Sequence, residues 1–129
     1  MRLVVEEGTG SKADVEGYLV GGKTGTAEKL NAGGTYEKKA LLSSFVGAFP
    51  MDDPRYVVLA AIDEPKGIEE SVGYATGGWT AAPVVGAVIE GMAPLVGVRP
   101  RLGQRDWSEA HRPRMLQQAV ARGGTIEIE

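Results

Sequence analysis

The sequence has no cysteine, and His111 is the single histidine among its 129 residues. The lack of cysteine excludes disulfide bonds and thiolate metal sites, and it leaves the redox compartment undetermined. One histidine cannot form a histidine cluster around a metal ion. No metal site is therefore predicted.

Long hydrophobic segments are also missing, because no apolar run approaches the roughly 18 residues that a membrane-spanning helix needs. The acidic start, with Glu6 and Glu7, does not resemble a signal peptide. We therefore expect any membrane anchor or export signal to lie outside this segment. The formal net charge of −3 indicates no polyanionic partner, so no nucleic-acid binding is predicted.

Glycine, in contrast, is abundant, with 19 residues, or about twice its usual share. Apolar residues make up 43% of the chain, as in an ordinary globular protein, and the length suits one domain or part of one. So many glycines predict tight turns and close backbone approaches rather than a plain helical bundle.

Three apolar stretches predict strands at about residues 16–27, 40–49 and 55–63. The second and third are joined by a short turn, so they should pair antiparallel. The third does not alternate between polar and apolar residues, which predicts that it is buried on both faces. The polar, glycine-containing stretch 31–39 indicates an exposed loop.

A helix is predicted at about residues 80–97, with Thr80 as its cap and Pro83 in its first turn. Apolar residues at helical spacing predict that one side of this helix packs on the sheet: Val85, Val88, Ile89, Met92 and Val96. The fold class is therefore α+β, a three-stranded antiparallel sheet with a C-terminal helix packed on it. Residues 101–129 are predicted to form a separate, unassigned tail with a short helix.

Residues 17–24 match the nucleotide-binding pattern G-x-x-x-x-G-K-T literally. That loop needs a helix that begins at the Lys-Thr pair, so that its amides face the phosphates. Here Gly25 and Thr26 follow, and both are poor helix starters. Residues 18–20 (Tyr-Leu-Val) favour a strand instead. A nucleotide-binding module remains a distant alternative.

On a strand, Lys23, Gly25 and Ala27 point to one face and Thr24 and Thr26 to the other. Glycine lets the backbone of a ligand lie flat against the strand, the lysine supplies a cation, and the threonines supply hydroxyls. This combination suits an extended peptide that ends in a carboxylate, and it can stabilise an oxyanion. From these residues alone, a glycine-rich turn with a solvated lysine remains the alternative.

Residues 22–29, Gly-Lys-Thr-Gly-Thr-Ala-Glu-Lys, resemble the third motif of class B penicillin-binding proteins, the monofunctional peptidoglycan transpeptidases. Further segments resemble the same family in the same order: Gly8–Gly10, Ser44–Pro50 and Ala81–Val85. The resemblance covers residues 1–100, the C-terminal part of the transpeptidase domain, and is closest to the septal, cell-division type. Lys-Thr-Gly alone is less specific, because serine β-lactamases share it.

The resemblance implies a fragment of the serine β-lactamase/transpeptidase-like fold, with no metal or cofactor. Lys23 would line the active site and support proton transfer. The hydroxyls of Thr24 and Thr26 would bind the carboxylate of a D-alanine terminus or a β-lactam, and Gly25 would keep the strand open. The backbone amide of Thr26 would be one donor of the oxyanion hole. The implied partners are peptidoglycan stem peptides, β-lactams and the remainder of the transpeptidase domain.

The nucleophile motif of the family, Ser-x-x-Lys, and its second motif, Ser-x-Asn, do not occur in this sequence. We expect both to lie upstream, so the isolated chain should be inactive. The family implies a parent protein anchored in the bacterial inner membrane, with its catalytic domain on the periplasmic or extracellular side. A serine β-lactamase or D,D-carboxypeptidase fragment remains the alternative.

The predicted third strand, residues 56–62, contains no lysine or proline that would protect an exposed edge. In the family, an upstream strand flanks it. We expect the isolated chain to cover this edge by self-association, by domain swapping, or with the alternating segment Thr125–Glu129.

Overall fold

The computed structural model describes residues 1–101, apart from the side chains of residues 38 and 39. The helices and strands follow one another in the order α1 (Arg2–Glu6), β1 (Gly21–Leu30), β2 (Tyr36–Phe49), β3 (Tyr56–Asp63) and α2 (Gly77–Leu95). Short 3₁₀ turns lie at Ser11–Ala13 and Glu69–Ser71. The helix and the strand predicted in the tail fall outside the described residues.

The three strands of this part of the chain form one sheet in the order β1-β2-β3, and both neighbouring pairs are antiparallel. Gly25 lies opposite Ser44, and Phe45 lies opposite Ala60. The antiparallel pairing predicted for the second and third strands is confirmed. Because β1 pairs only with β2 among the described residues, it forms one edge of the sheet.

Two strand boundaries differ from the prediction. β1 begins at Gly21 rather than at about residue 16, because the Tyr18 amide donates to Val15 O (3.0 Å) in a turn and Gly17 has a φ of +82°. β2 begins at Tyr36, so much of the predicted loop is strand. Tyr36 and Glu37 pair with Leu30 and Lys29 at the far end of β1, where Tyr36 and Leu30 keep 65% and 59% of their surface exposed. Because this part of the sheet is not buried, its sequence need not show an apolar pattern.

Helix α2 begins earlier than predicted, and its cap is Thr76 rather than Thr80. The Thr80 hydroxyl instead donates to Thr76 O within the first turn (3.0 Å). Two glycines open the helix because it lies directly on the sheet: a Cβ on Gly77 would overlap Ser44 O and lie 2.8 Å from Gly25 O. Close packing therefore outweighs the low helix propensity of glycine.

The prediction that the third strand is buried on both faces is wrong. Val58 and Ile62 pack against the core, whereas Val57 and Leu59 point the other way and keep 70% and 67% of their surface exposed. Helix α2 covers one face of the sheet, and none of the described residues covers these side chains on the other. Since both sets of side chains are apolar, the sequence pattern could not separate them.

The hydrophobic core lies between the sheet and α2. Phe45 and Phe49 of β2 and Val85 and Ile89 of α2 are fully buried in it. Met92 and Val96 pack on its margin, whereas Val88, predicted to belong to the packed side, is 43% exposed and is not part of the core. The predicted packing of one side of the helix on the sheet is otherwise confirmed.

Helix α1 is held against the start of β1 by Arg2, which is 8% exposed. Its Nη1 donates to Val20 O (2.6 Å) and to Asp14 Oδ1 (2.9 Å), and its Nε donates to Glu6 Oε1 (2.9 Å). These bonds satisfy a buried charge that would otherwise be costly. Within residues 1–101, no helix is both long enough and apolar enough to span a membrane.

Candidate active site

The outer edge of β1 presents backbone groups that do not pair with β2. The direction of these groups is shown by the Gly22 amide, which donates to Met1 O (3.1 Å) rather than to β2. In an antiparallel strand, alternate residues direct their N–H and C=O groups to the same side. The N–H and C=O groups of Thr24 and Thr26 therefore face this outer edge, where a ligand strand can reach them.

Lys23 lies on this edge strand, with its side chain exposed. Its side chain lies along the edge of the strand, so that the ammonium group donates to Thr24 O (2.8 Å) and lies 3.4 Å from Thr24 Oγ1. Among the described residues, no carboxylate forms an ion pair with this lysine. Its positive charge is therefore open to a ligand.

Thr24 points toward the N-terminus of α2, on the opposite face of the strand from Lys23. A Cβ on Gly78 would lie 3.7 Å from its methyl group. Its hydroxyl oxygen lies 3.3 Å from the hydroxyl oxygen of Thr9, in the loop after α1. The structure thus brings together two threonines that are 15 residues apart in the sequence.

Thr26 is joined to the first turn of α2. Its hydroxyl oxygen accepts a hydrogen bond from the Gly77 amide (3.2 Å), one of the amides that a helix cannot satisfy internally. A threonine hydroxyl has one proton to donate and two lone pairs to accept with. Because the amide can only donate, the proton of Thr26 remains available to an acceptor such as a carboxylate.

Gly25 separates the two threonines and lies opposite Ser44. A Cβ at this position would lie 2.6 Å from Ser44 Oγ, so a larger residue would require the Ser44 hydroxyl to rotate away. With glycine, the strand has no side chain between the two threonines on the face of Ser44.

Sequence reasoning assigned no site role to Thr9, Gly77 or Ser43. The buried Ser43 hydroxyl donates to Ala75 O and so fixes the segment that leads into α2 beside Thr26. The glycines on either side of Thr9 were a signal for that loop, because they marked a place where the backbone packs closely. The partners of these residues could not be read from the sequence.

The fold and this edge strand agree with the family to which the sequence is matched. Residues 1–90 match the family model described as the penicillin-binding protein transpeptidase domain. The chain belongs to this family, and the resemblance to class B penicillin-binding proteins is confirmed. The nucleotide-binding alternative is not supported, since Lys23 and Thr24 lie within a strand rather than at the start of a helix.

Named relatives make the comparison more specific. The chain is 52% identical over 99 residues to a Caulobacter vibrioides protein named "Probable peptidoglycan D,D-transpeptidase FtsI", which covers 73% of this chain and 17% of that protein. It is 48% identical over 104 residues to stage V sporulation protein D of Bacillus subtilis, and this match covers 81% of this chain and 15% of that protein. The chain therefore spans only a small part of these relatives.

A solved structure supports the same fold. The transpeptidase domain of penicillin-binding protein 3 from Burkholderia pseudomallei, in its apo form, is 40% identical and superimposes with a TM-score of 0.60. The match covers 76% of this chain and 28% of that one. The predicted fold class, a piece of the transpeptidase-like fold, is confirmed.

Proposed function

We propose that residues 1–100 of this chain form the C-terminal part of the transpeptidase domain of a septal, class B penicillin-binding protein. The complete protein would cross-link peptidoglycan by acyl transfer through a serine ester and would be acylated by β-lactams. The observation that carries this proposal is the edge strand, which combines one free cation, two oriented hydroxyls and outward-facing amides. Residues 101–129 would be a tail outside this domain.

Each residue of the edge strand has a role in this proposal. Lys23 would balance charge and support proton transfer around the nucleophile, and Thr24 and Thr26 would hold the carboxylate of the D-alanine terminus. The outward amide of Thr26 would donate to the oxyanion that develops on the reacting carbonyl. Gly25 would let the extended substrate lie along the strand as an added strand.

The nucleophile would come from an upstream segment, since no serine in this sequence is followed three residues later by lysine. Its Oγ would attack the carbonyl carbon of the terminal D-alanyl-D-alanine amide, and the C–N bond would break to release D-alanine. The amine of a second stem peptide would then displace the serine. The parent would be membrane-anchored, with this domain on the periplasmic or extracellular side.

The exposed face of the sheet would bind the remainder of the same domain. Leu42, Val57 and Leu59 are 41–70% exposed on this face, and the outer edge of β3 has no partner strand from residues 1–101. Residues 56–62 of this edge have no charged side chain, and such an apolar edge favours pairing with another strand. In the isolated chain, a second copy would take this place, which analytical ultracentrifugation would detect as a concentration-dependent dimer.

The decisive experiment is acylation by a labelled penicillin, followed by intact-mass measurement. The complete protein should gain one adduct, and the 129-residue chain should gain none. In the complete protein, Lys23→Ala should slow acylation by roughly 100- to 1,000-fold, the cost of losing a group that stabilises the transition state. Thr26→Val is the matched control and should cost less, because its backbone amide survives the substitution.

Three outcomes would contradict the proposal. An adduct on a serine of the isolated chain would show that the missing motifs are not needed. Acylation of Lys23→Ala at nearly the parent rate would make this lysine structural. Rapid turnover of penicillin, in place of a stable adduct, would favour the β-lactamase alternative.

A further inference from the structure

The hydroxyl of Thr9, which lies outside β1, is within hydrogen-bond distance of the hydroxyl of Thr24, at 3.3 Å between the two oxygens. Thr9 belongs to the loop between α1 and the first 3₁₀ turn, not to the sheet. This contact links the site to a loop outside the Lys-Thr-Gly-Thr strand, and the proposed function assigns no role to that loop.

The backbone around Thr9 is fixed by close packing. The amide of Gly10 donates to Val4 O (2.9 Å), and a Cβ on Gly10 would lie 2.7 Å from the ring of Phe45. On the other side, Thr9 O lies against Gly78, where a Cβ would overlap it. The loop is therefore wedged between the core and the first turn of α2, which holds the Thr9 hydroxyl beside Thr24.

The number of protons in this cluster limits what Thr24 can do. The Lys23 ammonium, 3.4 Å from Thr24 Oγ1, can only donate, whereas each threonine hydroxyl has one proton and two lone pairs. If Thr24 donated to Thr9, no proton of Thr24 would remain for a ligand. If Thr9 donates to Thr24, the proton of Thr24 is free to bind an anion.

The hydroxyl of Thr26 has a comparable hydrogen-bond arrangement, with a backbone amide as the donor. Its oxygen accepts from the Gly77 amide, so its proton also remains free. Each of the two threonines of the strand thus has a neighbour outside the strand that can occupy a lone pair of its hydroxyl oxygen. A pair of hydroxyls that both donate outward matches a carboxylate, which accepts at both oxygens.

We propose that Thr9 is a positioning residue for the carboxylate subsite. When an anion binds, the Thr9 hydroxyl donates to Thr24 Oγ1 and thereby directs the proton of Thr24 to the ligand. This inference rests on the proposed function, because it assumes that the strand binds a carboxylate.

The test compares Thr9→Val, which keeps the shape but loses the hydroxyl, with Thr9→Ser, which keeps the hydroxyl. Acylation of the complete protein is followed over a range of penicillin concentrations, which separates half-saturation from the limiting rate. Thr9→Val should raise the half-saturating concentration about five- to tenfold, the effect of one hydrogen bond to a bound anion. The limiting rate should change by less than about twofold.

A penicillin methyl ester, which has no carboxylate, separates the two roles, because a purely structural role of Thr9 would affect acylation by the free acid and by the ester equally. Acylation by the ester should be equal in Thr9→Val and the unsubstituted protein, and Thr9→Ser should behave normally with both ligands. In a Thr24→Val background, Thr9→Val should have no further effect on binding of the free acid. If Thr9→Val does not fold, as judged by its urea transition, Thr9→Ala serves as the hydroxyl-free variant.

Equal losses with the free acid and the ester would overturn the inference, since they would show that Thr9 only supports the fold. An unchanged half-saturating concentration in a folded Thr9→Val protein would overturn it as well. If the unsubstituted complete protein is not acylated at all, the proposed function fails, and this inference fails with it. That outcome is distinct from the other two.

Discussion

On the face of the sheet that packs against α2, Phe45 and Phe49 are fully buried, whereas on the opposite face Val57 and Leu59 keep most of their surface exposed. All four are apolar residues in regular strands. The difference arises because α2 supplies a covering layer on one face only. Burial in this molecule therefore depends on what packs against a strand, and not on the composition of the strand.

The same division of faces separates the residues of the site. Thr24 and Thr26 lie on the side of α2 and contact Gly78 and Gly77 at its first turn. The side chain of Lys23 leaves the strand on the exposed face. Its ammonium group can still contact Thr24 O and Thr24 Oγ1, because β1 is an edge strand and no neighbouring strand blocks the way. The site therefore combines two hydroxyls held by neighbours outside the strand with one exposed cation.

The largest expected effect comes from a matched pair of truncations on the two faces. Phe45→Ala should lower the free energy of unfolding by about 3–5 kcal/mol, because it opens a cavity in the core. Leu59→Ala, on the exposed face, should change it by less than about 0.5 kcal/mol at protein concentrations where the chain is monomeric. Urea unfolding of the 129-residue chain, followed by circular dichroism, measures both. A similar loss for the two variants would show that the second face is also covered in solution.

Two glycines of α2 provide a smaller contrast. Gly77→Ala should destabilise the chain by about 1–3 kcal/mol, since the new methyl group would overlap backbone atoms of both β1 and β2. Gly91→Ala should stabilise it by about 0.5–1 kcal/mol, because a Cβ there meets no described atom within 4 Å and alanine favours the helix. Thermal and urea unfolding measure both changes. Destabilisation by Gly91→Ala would mean that this side of α2 is packed.

The smallest effect is expected at the exposed ion pairs that connect the outer strands. Lys29 Nζ lies 2.8 Å from Glu64 Oε1 and 2.9 Å from Asp63 Oδ1, and these hydrogen bonds and charges raise the pKa of the lysine. Lys29→Met should lower the melting temperature slightly, and less at high salt, because exposed pairs are screened. Lys66→Met, at an exposed lysine without an ion pair among residues 1–101, is the control.

The pH dependence of this effect has a defined sign. A raised pKa in the folded state means that the stabilisation is fully present below the ordinary lysine pKa of about 10.4 and is lost as the pH rises beyond it. The difference in melting temperature between Lys29→Met and the unsubstituted chain should therefore be constant from neutral pH to about pH 9.5 and shrink at higher pH. A difference that grows with pH would contradict the assignment.

The sequence by itself determined the elements and the motif. Three strands, the antiparallel pairing of the second and third, and a long helix with one apolar side follow from local patterns of side chains and turns. The position of Lys23, Thr24 and Thr26 on a strand also follows locally, because Gly25 and Thr26 cannot easily start a helix. The order of the motifs then identified the family.

Only the tertiary structure decided which apolar face is covered, where α2 begins and which groups orient the site. The Thr9–Thr24 contact joins residues 15 positions apart, and the bond from Gly77 to Thr26 joins residues 51 positions apart. Neither leaves a periodic trace in the sequence, because each depends on where two elements meet after packing. Helix α2 starts with two glycines for the same reason: its first turn lies against the sheet backbone, and this contact forms only in the folded chain.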